Sequence, residues 1–227
     1  MSVCNLSFGP TAIIAVSDTL VYCDREPAAL MGPKVETRPW ASFATGYRGL
    51  SYIGDALDRM VFSGAVDTFA EADALLASLP PADGTDERAT PYEMTLFGWD
   101  GDAGRLRAVR HRWNCGDGLR RIELQYGVHV NPGSAKVDDA LRRAGITEAD
   151  EGRMIRLSLN QHRANVDHAE GRYCIGGVGH VTTVTEAGVS QRIAFLYPGY
   201  DELAARFGDP LADEVDAFRA AHELVAA

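Results

Sequence analysis

The apolar patterns along this chain run strands, two helices, strands, two helices, strands, and that order governs what it can fold into. Strands that follow one another directly pair antiparallel, and helices that come in pairs do not serve as strand-to-strand crossovers, so a βαβ fold is excluded. Two packed antiparallel sheets with a helix pair on each outer face would bury every stripe. The predicted class is α+β, a four-layer αββα sandwich built as a single domain over residues 1–227, with residues 198–227 as a helical tail.

The first hairpin is the plainest element. Cys4, Leu6 and Phe8 alternate with Asn5 and Ser7, the period of a half-buried strand. Gly9-Pro10 is a turn, and Thr11 to Ser17 is apolar and β-branched, a buried strand that ends at Asp18. Short extended pieces follow at Leu20–Cys23, Lys34–Thr37 and Trp40–Thr45. Gly46 breaks the pattern, and Tyr47 to Ser63 carries a helical stripe of Leu50, Ile53, Leu57, Met60 and Val61. A second helix fits Asp67 to Ser78, with Phe69, Ala72, Leu75 and Leu76 inward. Pro80 to Pro91 reads as a linker. Tyr92–Trp99 and Leu106–His111 flank a turn over residues 100–104. Arg121 to Val130 reads as one strand. Helices are expected from Ser134 through Arg143 and from Thr147 to about Val166. Tyr173–Thr185 and Ser190–Tyr197 make a last hairpin, and Asp201–Phe207 and Leu211–Val225 are closing helices.

Charge and composition remove several function classes. The formal net charge is −10 and the pI about 5.0, which opposes binding to nucleic acid or to an anionic membrane surface. No apolar run is long enough to span a membrane and no signal-peptide pattern opens the chain, so a cytoplasmic protein is expected. Cys4, Cys23, Cys115 and Cys174 form no C-x-x-C pair and read as small buried apolar residues. The six histidines show no metal spacing, so no metal and no cofactor are expected. Arg107, Arg110 and Arg112 around His111 read as one solvated strand. Gly176-Gly177-Val178-Gly179 lacks the following helix that a phosphate loop needs.

Chemistry is carried by a spacing. Ser2, Asp18 and Lys34 stand at two equal intervals of 16 residues (18 − 2 and 34 − 18). Removing Met1 would free the α-amine of Ser2, and a hydroxyl beside its own amine is a nucleophile with a built-in general base. Such an amine titrates near pH ~7.7–8.0, so part of it is neutral at physiological pH. Lys34 is one of two lysines among 22 Lys and Arg, which suggests a place where an ammonium is needed. Against this, Ser2 is an ordinary second residue, Asp18 a common turn-closing residue, and Lys34 would be a surface lysine.

The segment SVCNLSFGPTAIIAVSDT resembles the start of a proteasome β-type subunit, and more closely the small bacterial proteasome-related proteins that begin Met-Thr. These are N-terminal nucleophile (Ntn) hydrolases. The resemblance covers roughly residues 2–197. It implies Ser2 as nucleophile, Asp18 and Lys34 as its charge pair, and Gly46, at the opening of the first long helix, as the oxyanion donor. Gly133-Ser134 matches a Gly-Ser pair that opens the family's third helix. ANVDHAEG places Asp167 where the family has an aspartate before a glycine. Ser134 and Asp167 would orient the Ser2 amine, although each also suits a helix end. Ser2 stands where the family has threonine, losing the methyl that stiffens χ1. The implied activity is hydrolysis of a peptide or other small amide without a cofactor. The implied partner is the chain itself, in a ring or spiral homo-oligomer. The rival reading is a non-catalytic, self-assembling shell or interaction protein on the same fold. Autocleavage before Thr11, pairing it with Asp24, ranks last because it would destroy the first strand.

Overall fold

The computed structural model describes residues 4–23, 26–38, 40–48, 51–79, 92–114, 120–130, 149–167 and 175–226. The strands are β1 (Cys4–Phe8), β2 (Ile13–Ser17), β3 (Leu20–Cys23), β4 (Glu26–Leu30), β5 (Val35–Thr37), β6 (Phe43–Arg48), β7 (Tyr92–Asp100), β8 (Arg105–Trp113), β9 (Arg121–Glu123), β10 (Gly127–His129), β11 (Val178–Thr185) and β12 (Gly188–Leu196). The described helices are α1 (Ser51–Val61), α2 (Phe69–Ser78), α3 (Glu151–Asp167), α4 (Tyr200–Phe207) and α5 (Ala212–Ala226).

The first sheet runs β10-β1-β2-β11-β12, the second β5-β6-β7-β8-β9, and β3-β4 form a separate ribbon. Every pairing between strands is antiparallel. Leu6, Phe8, Ile13 and Ala15 of the first sheet share one apolar cluster with Ala44, Phe97, Leu106 and Ala108 of the second, so the two sheets bury faces against each other. The other face of the second sheet (Phe43, Met94, Leu96, Val109) carries Leu57 and Val61 of α1 with Phe69 and Leu76 of α2. The other face of the first sheet (Ile14, Val16, Val181) carries Met154 of α3. The tail packs Tyr200 of α4 and Val215 of α5 against Leu20, Leu30 and Val178. The helix expected from Ser134 through Arg143 lies outside the described residues.

Four expectations change, each for a physical reason. Asn5 and Ser7 are fully buried rather than half-wet, because α3 covers that face of β1. Asn5 meets the polar cost of burial by donating to Ser158 Oγ at 2.9 Å and Gln161 Oε1 at 2.5 Å. The first helix starts at Ser51, not Tyr47, because β6 continues through Gly46 to Arg48. A Cβ at Gly46 would come 2.8 Å from Cys4 Sγ, so this glycine answers close packing of the sheets rather than ending a strand. Arg121 to Val130 is two short strands, β9 and β10, that belong to different sheets. Alternation along one segment does not show a change of sheet. Finally, β4 forms over a segment whose pattern announced no strand.

α2 begins as capping chemistry dictates. Thr68 Oγ1 accepts from Glu71 N at 3.2 Å while Glu71 Oε2 accepts from Thr68 N at 3.0 Å. Its buried face is Phe69, Ala72, Asp73 and Leu76, with Leu75 only partly covered. The buried aspartate is met by the second sheet. Asp73 accepts from Arg121 at 2.6 and 2.9 Å and pairs with His111 Nε2 at 3.0 Å. Burial works to raise the Asp73 carboxyl, but His111 and Arg121 outweigh it and hold it well below the usual carboxylate range.

Candidate active site

The register of the first sheet brings the two charged candidates together. Cys4 pairs with Ser17, so the end of β2, and Asp18 after it, lie beside the start of β1. Lys34 directly precedes β5. Lys34 Nζ donates to Asp18 Oδ1 at 2.7 Å, and the two side chains are 2% and 0% exposed. Nζ also donates to the Leu20 carbonyl at 2.5 Å. Asp18 Oδ2 accepts the Gly176 amide at 3.2 Å. Lys34 is therefore no surface lysine, and Asp18 does more than close a turn. A buried ion pair persists only when both partners are further hydrogen-bonded, and both are.

A segment that the sequence dismissed as a failed phosphate loop completes the surroundings. The Gly176 carbonyl accepts from Thr19 N at 3.3 Å and Leu20 N at 3.2 Å, and Thr19 Oγ1 accepts from Val178 N at 2.9 Å. Gly177 has φ +80°, and a Cβ there would meet Thr19 Oγ1 at 2.3 Å. Both facts require glycine at this position. The glycine run thus ties Asp18 and Thr19 to β11. Tyr197 N donates to the Gly177 carbonyl at 3.0 Å, and burial first, then the Asp18 charge, pushes its phenol well above its usual range. From α3, His162 Nδ1 hydrogen-bonds the Ile175 carbonyl at 2.7 Å. The only sequence signal for these residues was the glycine run itself.

Between the sheets, the Cys4 thiol is pushed up to about 11 by burial; Arg110 works against this, and the Asp18 and Lys34 charges add smaller, opposing pushes. Ser17 Oγ and His180 Nδ1 are buried here without hydrogen-bond partners, and Ser17 and His180 face each other across β2 and β11. Burial lowers His180 to about 4, so its imidazole is neutral at physiological pH.

The remaining candidates fall differently. Gly46 is a strand residue between Val35 of β5 and Thr95 of β7 and does not open α1. Asp167 is the last residue of α3. Ser2 and Ser134 lie outside the described residues. Among the described residues, no cluster of His, Cys, Asp and Glu could hold a metal ion, and no helix is long and apolar enough to cross a membrane.

No family profile and no curated protein matches this chain. Among solved structures it is similar to the Anbu (Gly-1) mutant from Hyphomicrobium sp. strain MC1, with a TM-score of 0.58 and 11% identity over 100% of both chains. Anbu is a bacterial proteasome-related protein, and a likeness at this identity concerns architecture alone: the chain has a distant proteasome-like fold.

Proposed function

We propose that this protein is an N-terminal nucleophile hydrolase of peptide or other amide bonds, with Ser2 as nucleophile once Met1 is removed. The observation that carries the reading is the buried Lys34–Asp18 pair beside the start of β1, which sequence spacing alone had singled out. The proteasome-like architecture supports it, as does the sharing of one core between two sheets with helices on their outer faces. We extend that arrangement to the four-layer αββα sandwich, with Ser134 opening the fourth outer helix.

In the proposed reaction Ser2 Oγ attacks the amide carbonyl carbon while its proton passes to the α-amine of the same residue. The Lys34 ammonium favours the alkoxide, and Asp18 holds that ammonium in place. The backbone N–H of Gly46 serves as the oxyanion donor in this reading. The amine then returns its proton to the leaving nitrogen. Water, deprotonated by the same amine, attacks the Ser2 ester; the acyl–Oγ bond breaks, the acid leaves, and Oγ takes the proton back from the amine. Ser134 and Asp167 orient the amine, and the chain self-associates.

The test is an intact-mass measurement on protein purified from its natural cell. The expected mass begins at Ser2, and a peptide epoxyketone adds to that residue through both hydroxyl and amine. Retained Met1, or absence of the adduct in a chain that starts at Ser2, refutes the reading. A non-catalytic shell on the same fold is the rival, and the same measurement decides between the two.

A further inference from the structure

We infer that Arg110 is the specificity-determining cation of this site and that it recognises a carboxylate on the substrate. The inference rests on the hydrolase reading above and adds to it a class of substrate, acidic amides. Alternation along β8 sorts its side chains. Val109 and Trp113 lie under the helices, while Leu106 and Ala108 lie between the sheets. Arg110 shares the face of the latter pair. Its cross-strand partner is Thr95, whose partner on the other side is Gly46. Gly46 packs against Cys4, and Arg110 is the strongest charge acting on the Cys4 thiol. Arg110 therefore faces the strand that Ser2 precedes by two positions in sequence.

What sets Arg110 apart is what it lacks. Its Nε is buried without a hydrogen-bond partner. Among the described residues, the other partly buried arginines each reach a carboxylate: Arg38 to Glu36, Arg48 and Arg112 to Glu93, Arg107 to Asp100, Arg153 to Asp150 and Arg219 to Asp201. Arg110 reaches none. A guanidinium stays charged at any working pH, so a half-buried one is stabilised when a carboxylate completes its planar fork.

The experiment uses the full-length chain freed of Met1. Peptide epoxyketones with a terminal glutamate side chain are compared with their glutamine isosteres, the rate of Ser2 adduct formation being read by mass. The wild type is expected to prefer the acidic probe roughly tenfold, the worth of one charge-assisted hydrogen bond. Arg110→Gln should bring the ratio close to one, and Arg110→Lys should restore part of it. Calorimetric binding of acetyl-Ala-Ala-Glu-amide and of acetyl-Ala-Ala-Ala acid, to wild type and to Arg110→Gln, separates a side-chain carboxylate from a C-terminal one. It works whether or not Ser2 reacts. Equal rates with both probes, together with peptide binding that Arg110→Gln does not weaken, overturn the inference and leave the hydrolase reading standing. If no probe labels Ser2, the hydrolase reading falls, and the calorimetry alone decides: a roughly tenfold loss on Arg110→Gln supports Arg110 as the carboxylate site, and no loss overturns it.

Discussion

Lys34 and Asp18 are held so far from water that neither can be changed alone without leaving the other uncompensated. Breaking such a pair costs about 3–5 kcal/mol, so Lys34→Met should lower the urea midpoint substantially as well as remove labelling of Ser2. Asp18→Asn should behave similarly. The double variant should lose much less than the sum, because neither charge is then stranded. Additive losses in equilibrium urea unfolding would show that the two residues act independently. The same logic of burial applies to Cys4. Its thiol is pushed up to about 11, so it should resist iodoacetamide at pH 8 in the native protein and react only on unfolding.

At the scale of elements, the outer helices are fixed to the second sheet by two carboxylates whose pH dependences have opposite sign. On α1, Asp58 is hydrogen-bonded to Thr45 of β6 at 2.5 Å. Burial raises its carboxyl from 3.8 to about 7. A raised carboxylate favours the protonated folded state, so its contribution is complete below about pH 4 and is lost as pH rises through about 7. Asp58→Asn should therefore stabilise the protein at pH 8, by ~1 kcal/mol after allowing for partial exposure, and have little effect at pH 4. A uniform effect across that range in denaturant titrations would rule this out. On α2, Asp73 is depressed by His111 and Arg121, so its contribution is present at neutral pH and is lost as pH falls below the normal carboxylate range. Close approach between elements gives a third test. Gly46→Ala should cost about 1–3 kcal/mol through its 2.8 Å contact with Cys4 Sγ, and Cys4→Ala in the same chain should recover part of that.

For the molecule as a whole, α2 turns little apolar surface outward: Phe69, Ala72 and Leu76 are buried against the second sheet. What stays open there is a groove of about 600 Å³ that Met60, Val66 and Leu75 help to line. Self-assembly is part of the hydrolase reading proposed above, and it has its own test. Sedimentation at micromolar concentration should show an oligomer, and a clean monomer would remove both the ring and the spiral.

Local pattern alone determined the elements whose partners are close in sequence. The hairpin of β1 and β2, the capped α2 and the hairpin of β11 and β12 were all legible, because alternation, turn residues and caps act over a few positions. The equal spacing of Ser2, Asp18 and Lys34 was legible too, and the ion pair at its centre is present. Only the tertiary structure decided which faces stay dry. Asn5 is buried because α3 lies over it, position 46 needs glycine because Cys4 leaves no room for a Cβ, and Asp73 is inward because three side chains of the second sheet receive it. The role of the glycine run at residues 176–179 was equally hidden, since its meaning comes from Asp18 and Thr19, more than 150 residues away. A periodicity reports the shape of one segment. It carries no record of the segment that will lie against it, and burial, ion pairing and the unmet charge of Arg110 are properties of that second surface.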